Sequence, residues 1–159
     1  MSVTQRSRAL GPAEDVGNSS RRLLLDTNAI IYFLSGLEPY LSFLTPLFRR
    51  VLRAEAIMII SVVTESELLV RPEREGNEQA IERIEDLLSE EGFTVVDVDR
   101  RIGRQAAKLR AAHGFKLPDA IIIATALETR CDMVVGNDAA WRRLPEFPFV
   151  HLDSQLVAT

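Results

Sequence analysis

Four acidic residues of this chain lie where a sheet-based fold would bring their side chains to one edge. They are Asp26, Glu67, Asp119 and Asp138. Carboxylates that converge in a folded protein repel one another, and burial without a counter-charge raises their pKa values. A hard divalent cation with oxygen ligands is the usual counter-charge. The residue types therefore indicate a metal site, provided that the surrounding helices and strands place all four together.

Strand-like and helix-like segments alternate along the chain from residue 22 onward. Short apolar runs predict strands over Leu23–Asp26, Ile57–Ser61, Phe93–Val96, Met133–Val135 and Phe149–Leu152. Apolar residues at helical spacing and turn signals predict helices over Ala29–Leu34, Tyr40–Ala54, Val62–Val70 (ended near Pro72), Asn77–Glu91, Asp99–His113, Pro118–Thr129 and Asp138–Arg143. This alternation indicates an α/β fold, with a parallel sheet and right-handed crossovers.

The carboxyl ends of the strands define where the four acids can meet, because sites in open parallel sheets form at that edge. Asp26 ends the first strand, and Asp138 follows the fourth. Glu67 lies within two helical turns of the end of the second strand. Asp119 begins a helix, and it reaches the same edge only if that helix starts there.

Each of the four acids also has an ordinary structural explanation. Asp26 could be a turn residue at a strand end, and Asp138 could cap a short helix. Thr64 and Glu67 could form a Thr-x-x-Glu capping box. Asp119 lies in a first helical turn, where the helix dipole favours a carboxylate. Four such residues at one edge of one sheet favour a site over four separate caps.

Five other acids fit the site less well. Glu65 is two positions before Glu67, a rotation of about 200° on a helix, so it faces nearly the opposite way. The others precede a strand or follow strands near the margin of the sheet; they are Asp97, Asp99, Asp132 and Asp153. Of these, Asp153 follows the last strand and is a fifth candidate. Glu67 rather than Glu65 is therefore the predicted site residue.

Length and composition are typical of one ordinary globular domain. The chain has 159 residues, of which 47% are hydrophobic and 26% are charged. Residues 1–21 are polar and lack periodicity. They are predicted to form a flexible N-terminal extension of a domain over residues 22–159.

Net charge and rare residue types exclude several classes of function. A formal charge of −4 argues against a generally basic nucleic-acid-binding surface, although it permits a nucleic-acid substrate. The single Cys131 excludes an internal disulfide, and two histidines are too few for a histidine-rich metal site. No apolar stretch reaches the roughly 20 residues of a membrane span, and the N-terminus lacks the apolar core of a signal peptide. We predict that the protein is located in the cytoplasm and does not bind a membrane.

The residues around the four acids form a recognisable series of motifs. In order they are Leu25-Asp26-Thr27-Asn28, Ser61-x-x-Thr64-x-x-Glu67-Leu68, Asp119-Ala120-x-Ile122-x-Ala124 and Val135-x-Asn137-Asp138. Each motif is short and degenerate, but the order and spacing are fairly specific together. The series resembles a PIN-domain ribonuclease, and the size of the chain is similar to that of the VapC-type toxins of bacterial toxin–antitoxin pairs. The resemblance extends from about Leu23 to Leu152.

The resemblance implies a three-layer α/β/α fold with a central parallel sheet of about five strands. It implies an Mg²⁺- or Mn²⁺-dependent endoribonuclease with a defined set of catalytic and metal-binding residues, namely Asp26, Glu67, Asp119 and Asp138. Supporting polar residues would be Thr27, Asn28, Ser61 and Asn137. Phosphodiester cleavage needs an activated water and stabilisation of charge, and bound metal can supply both.

The resemblance also implies an RNA substrate, a homodimer and a cognate VapB-type antitoxin. We expect the antitoxin to place an amphipathic segment in a groove near the early helices. The wide apolar stripe of Tyr40–Ala54 motivates this expectation.

One position departs from the family pattern. The family often has threonine or serine two residues before the last aspartate, where this chain has Gly136. A hydroxyl that could orient a carboxylate or a water is therefore missing, which leaves open whether Gly136 lowers activity. The N-terminal extension is also longer than the family usually carries.

Two other functions compete with this interpretation. A phosphatase or phosphoacceptor domain would use Asp26 as nucleophile, but a haloacid-dehalogenase-type enzyme would have a second aspartate where this chain has Asn28. A phosphate-analogue adduct on Asp26 would distinguish it. A non-enzymatic PIN-like binding module would not need to keep four repelling acids, and metal titration would separate it from an enzyme.

Overall fold

The computed structural model of the chain describes residues 22–145 and 147–156. The predicted extension over residues 1–21 lies outside the described residues. None of the described helices is both long and apolar enough to cross a membrane.

Five parallel strands form one sheet in the described part of the chain. They are β1 (Arg22–Leu25), β2 (Ile57–Ser61), β3 (Phe93–Val96), β4 (Met133–Gly136) and β5 (Phe149–His151). Their order in the sheet is β3-β2-β1-β4-β5. The chain builds outward from β1 to β3 on one side and then returns to add β4 and β5 on the other. The strand order thus reverses between β1 and β4, and a crevice at the carboxyl ends of such strands is where α/β proteins bind ligands.

Helices cover both faces of the sheet. They are α1 (Thr27–Leu34), α2 (Tyr40–Leu52), α3 (Val62–Glu75), α4 (Glu78–Ser89), α5 (Arg100–His113), α6 (Leu117–Glu128) and α7 (Leu152–Leu156), with a 3₁₀ helix over Ala139–Arg143. Leu23 and Leu25 of β1 face the core under α1, α2 and α4, whereas Leu24 faces the core under α5 and α6. Side chains alternate along a strand, so three consecutive leucines supply both cores. The predicted three-layer α/β/α fold is confirmed.

Several element boundaries differ from the sequence prediction. The helix predicted to stop near Pro72 continues to Glu75 and ends at Gly76, whose φ of 61° suits glycine. A proline removes one backbone N–H and crowds one carbonyl, so a final helical turn can still follow it. The first helix begins at Thr27 rather than Ala29, because the Asp26 side chain caps it. The second helix ends at Leu52, two residues early, just before Ala54 with a φ of 57°.

The last predicted strand is also shorter than expected. β5 ends at His151, and Leu152, predicted as its final residue, instead begins α7, a helix that the sequence analysis missed. Helices of five residues carry too few turns to show a periodic pattern.

Candidate metal centre

Asp26 connects β1 to α1 at the carboxyl edge of the sheet. Its backbone is extended, with φ −78° and ψ 161°, and its Oδ1 accepts the N–H of Thr27 at 2.6 Å. The backbone N–H of Asn137 also donates to its carboxylate. The side chain is only 6% exposed. Burial, with smaller contributions from the charges of Glu67 and Asp138, raises the pKa of Asp26 to about 7 against the effect of both N–H groups.

Glu67 approaches Asp26 from α3. That helix begins at Val62, and Ser61 caps it by accepting the N–H of Val63 at 3.3 Å. The capping box Thr64–Glu67 is therefore wrong, since Thr64 lies inside the helix and is fully buried. The Glu67 carboxylate instead accepts the hydroxyl of Thr27.

Glu65, two positions earlier, lies elsewhere. It lines a surface depression with Val62, Ser66 and Leu69. The charge of Glu67, not that of Glu65, contributes to the raised pKa values of Asp26 and Asp119.

Asp119 and Asp138 complete the group. Asp119 is in the first turn of α6, and that helix starts at the carboxyl edge, as the sequence prediction required. The side chains of Asp119 and Asp138 are hydrogen-bonded, and burial followed by the charges of Asp138 and Glu67 raises the pKa of Asp119. Nearby Lys116 opposes this shift. Asp138 also caps the 3₁₀ helix, its Oδ1 accepting the N–H of Ala140 at 2.7 Å.

The structure therefore brings together all four of the predicted acids. Among the supporting residues, Thr27 contacts Asp26 and Glu67, and Asn137 contacts Asp26. Ser61 is fully buried and serves as a helix cap, with the Thr125 hydroxyl 3.5 Å from its own. Asn28 is half-buried in the first turn of α1.

Other candidate acids lie outside the group. Asp132 accepts the backbone N–H of Arg22 at 2.8 Å, at the amino edge of the sheet. Asp99 caps α5 by accepting the N–H of Ile102 at 2.9 Å. Asp153, the fifth candidate, accepts the hydroxyl of Tyr40 at 2.6 Å. The sequence did not indicate that Tyr40 contacts Asp153 or that Trp141 packs beside Gly136 and Asp26. In the sequence, both aromatic residues look like ordinary apolar residues of their helices.

The donor set fits a hard divalent cation. All four acids offer oxygen ligands, and within the described residues no salt bridge joins any of them to lysine or arginine. No three histidine, cysteine or acidic side chains of the described chain are placed to hold one ion together as they stand. Mg²⁺ keeps several waters and takes only one or two direct carboxylates. The arrangement thus suits an ion held directly by two of the acids and through water by the others.

Gly136 occupies a position that has no room for a side chain. A Cβ atom built there would lie 2.5 Å from Asp26 Cβ, 2.8 Å from Asp26 Oδ2 and 2.8 Å from Trp141 Cζ3. The space that a threonine or serine would need is filled by Asp26 and by the indole of Trp141, which is 1% exposed. Gly136 is therefore what allows Asp26 to pack against the end of β4 in this chain.

The fold and the acidic edge together define a class of protein that sequence comparison identifies. The sequence model of the PIN domain matches residues 23–147. The chain belongs to the PIN-domain family. No curated protein is similar enough in sequence to count as a relative of this chain.

Solved structures with the same fold include three complexes. VapBC2 from Rickettsia felis, bound to a DNA fragment from its promoter, has a TM-score of 0.68 at 18% identity and covers 82% of this chain and 98% of its own. A toxin–antitoxin complex from Klebsiella pneumoniae has a TM-score of 0.62 at 26% identity, with coverage of 82% and 97%. DNA-bound VapBC from Salmonella typhimurium has a TM-score of 0.65 at 22% identity, with coverage of 83% and 98%.

Proposed function

We propose that this chain is a metal-dependent endoribonuclease that cleaves RNA phosphodiester bonds and acts as the toxin of a type II toxin–antitoxin pair. The observation that carries the proposal is the convergence of Asp26, Glu67, Asp119 and Asp138 at the point where the strand order reverses. Membership of the PIN-domain family supports a nuclease. The likeness to toxin–antitoxin complexes supports the biological role.

The four acids divide by position. Asp26 and Asp138 follow adjacent strands and are the proposed direct ligands of Mg²⁺ or Mn²⁺. Glu67 and Asp119 come from helices, and they are proposed as further ligands or as bases that orient the attacking water. A bound divalent ion would supply the positive charge that a cleaved phosphodiester requires. Thr27 holds Glu67 toward Asp26 by donating its hydroxyl.

Basic residues near this edge are suited to the phosphates of RNA. Lys116 lies close enough to Asp119 for its charge to offset part of the rise in the pKa of Asp119. Arg143 donates to the backbone carbonyls of His113 and Gly114. It therefore lies where α5 ends and shortly before α6 begins, near Lys116. The substrate would therefore be held by local charge at the site, although the chain as a whole is acidic.

The proposed antitoxin surface is a groove between α1, α3 and α4. It has a volume of about 300 Å³ and is lined by Ile31, Leu34, Leu68 and Ile84, with Glu67 at its margin. A segment with apolar anchors could lie in this groove and bring a basic side chain to the acids. Most of the apolar stripe of Tyr40–Ala54 that motivated this expectation is buried in the core, namely Phe43, Leu44, Leu47, Phe48 and Val51. We therefore propose the neighbouring groove instead.

Two further parts of the proposal concern the setting. The chain is proposed to work in the cytoplasm and as a homodimer.

Expression of the chain in a bacterial host should slow growth of that host, and Asp138→Ala should remove that effect. A wild-type protein that is soluble and harmless would contradict a toxin.

The phosphoacceptor alternative for Asp26 gains no support from the geometry. A nucleophilic carboxylate must reach phosphorus, whereas Asp26 is 6% exposed and accepts two backbone N–H groups.

Cleavage of RNA by the purified full chain tests the enzymatic proposal. Mn²⁺ or Mg²⁺ should start cleavage and EDTA should stop it. Asp26→Asn should abolish it while the protein remains folded by circular dichroism. Cleavage that persists in EDTA, or in Asp26→Asn, would show that this acidic edge is not the active site.

A further inference from the structure

Asn137 lies in the turn after β4 and connects that turn to Asp26, to α1 and to α7. Its backbone N–H donates to the Asp26 carboxylate, and Asp138 is the next residue. Its side-chain Oδ1 accepts the backbone N–H of Asp153 at 3.1 Å, and its Nδ2 donates to the Tyr32 hydroxyl at 3.5 Å. The placement of Asn137 therefore affects two of the four carboxylates.

Two tyrosines and Asp153 close a circuit of contacts around Asn137. Tyr40, the first residue of α2, donates its hydroxyl to Asp153 Oδ1 at 2.6 Å. The ring of Tyr40 stacks on that of Tyr32, with centroids 4.2 Å apart and planes 23° apart. The contacts run from Asn137 through Tyr32, Tyr40 and Asp153 back to Asn137. They tie α1, α2 and α7 to the turn that follows β4.

We infer that Tyr40 and Asp153 are positioning residues that hold the turn of Asn137 and Asp138 so that the carboxylates of Asp26 and Asp138 face one another. The inference rests on the proposed function, because it concerns the same acidic edge. Asp153 lies outside the segment that matches the PIN domain, residues 23–147. This half of the circuit is therefore not part of the family pattern.

The location of the Tyr40–Asp153 contact matters more than its strength. A hydrogen bond at the protein surface contributes little to global stability, because water replaces it readily when it breaks. Groups that orient metal ligands from behind have a larger effect on metal binding, commonly 10- to 100-fold. Loss of the contact should therefore change the site much more than it changes the fold.

Three substitutions in the full chain test the inference. Tyr40→Phe keeps the ring and its stacking but removes the hydroxyl, and Asp153→Ala removes the acceptor. Each should weaken Mn²⁺ binding about tenfold in calorimetry and speed hydrogen exchange of the Asn137 and Ala140 amides in metal-free protein. Asp153→Asn keeps an oxygen that can accept from Tyr40, so it should behave like wild type. The double variant Tyr40→Phe/Asp153→Ala should be no weaker than either single variant.

Glu128→Ala is the matched control. It disrupts another exposed contact, Arg101–Glu128 at 2.8 Å, at the far end of the helix that begins near Asp119. It should leave Mn²⁺ affinity and exchange of the turn unchanged.

The outcomes separate this inference from the proposed function. Unchanged exchange of the turn in Tyr40→Phe would overturn the inference, and so would faster exchange with unchanged Mn²⁺ affinity. A lower melting temperature, together with faster hydrogen exchange throughout the protein and not only in the turn, would show a structural role instead. A wild-type chain that binds no Mn²⁺ would overturn the proposed metal site, and exchange in the metal-free protein would then decide the positioning role alone.

Discussion

The Asp26 carboxylate experiences two opposing influences. Burial favours its neutral form, whereas the N–H groups of Thr27 and Asn137 favour the charged form. Repulsion from Glu67 and Asp138 adds to the effect of burial, and the pKa rises to about 7. In the metal-free protein Asp26 is thus close to half-protonated at neutral pH, and a bound cation would favour its charged form.

Asp26 should make metal-free protein less stable as the pH rises. Its pKa is about 7 in the folded chain against an ordinary value of 3.8, so the folded state binds more protons between these values and stability falls across that interval. The contribution is on the order of 4 kcal/mol at most. Thermal melts in EDTA from about pH 4 to about pH 8 should show wild type losing stability relative to Asp26→Asn. A difference between the two proteins that stays constant with pH would contradict the raised pKa.

Gly136→Ala should disturb the site directly. The new Cβ would overlap Asp26 and Trp141, and overpacking of this kind typically costs about 1–3 kcal/mol. We expect a lower melting temperature and at least tenfold weaker Mn²⁺ binding. Gly103→Ala in α5 is the control, since a Cβ there meets nothing within 4 Å and alanine favours a helix. Wild-type Mn²⁺ affinity in Gly136→Ala would show that Asp26 can move without loss.

At the scale of elements, the sequence predicted what local patterns determine. Apolar runs and helical spacing identified all five strands and most of the helices. Whether α3 continues past Pro72 depends on whether the energetic cost of a proline in the helix exceeds the stability of the helical turns around it. A sequence pattern does not determine which of the two is larger. The contacts of Tyr40 with Asp153 and of Gly136 with Trp141 depend on tertiary packing, so they could not be predicted.

Glu67→Gln should reduce RNA cleavage at least tenfold, whereas Glu65→Gln should have little effect. Glu67 lies on the side of α3 that faces Thr27, and Glu65 lines a different surface. Both variants change one carboxylate of the same helix to an amide, at positions two residues apart that face nearly opposite ways. Their folding should be equally unaffected in thermal melts. The opposite ranking of the two cleavage rates would move the site to the surface around Glu65.

At the scale of the whole molecule, the sheet order explains why residues far apart in sequence meet. β1 pairs with β2 on one side and with β4 on the other, so the residues that follow these strands share one edge. The sequence predicted the parallel sheet and this edge. The strand order itself, and therefore which acids are neighbours, came from the structure.

Mn²⁺ or Mg²⁺ at millimolar concentration should raise the melting temperature of the chain. A ligand that binds only the folded state stabilises it by mass action, by about 2.7 kcal/mol at a concentration 100 times its Kd. The shift should be small in Asp138→Asn and should be retained in Glu65→Gln. Identical melting curves with and without the ions, together with no heat in calorimetry, would exclude the metal site.

The pairing of β1 with β4 also affects the order of events during synthesis. Leu23 lies beside Met133, so the second of the two strands that pair with β1 is synthesised much later than β1 itself. Domains complete their contacts as the chain emerges from the ribosome, and long-range pairings form last. A nascent fragment that stops before Asp138 lacks part of the acidic edge. Under the proposed function, a ribosome translating this chain would be spared RNA cleavage by its own product until synthesis has passed Asp138.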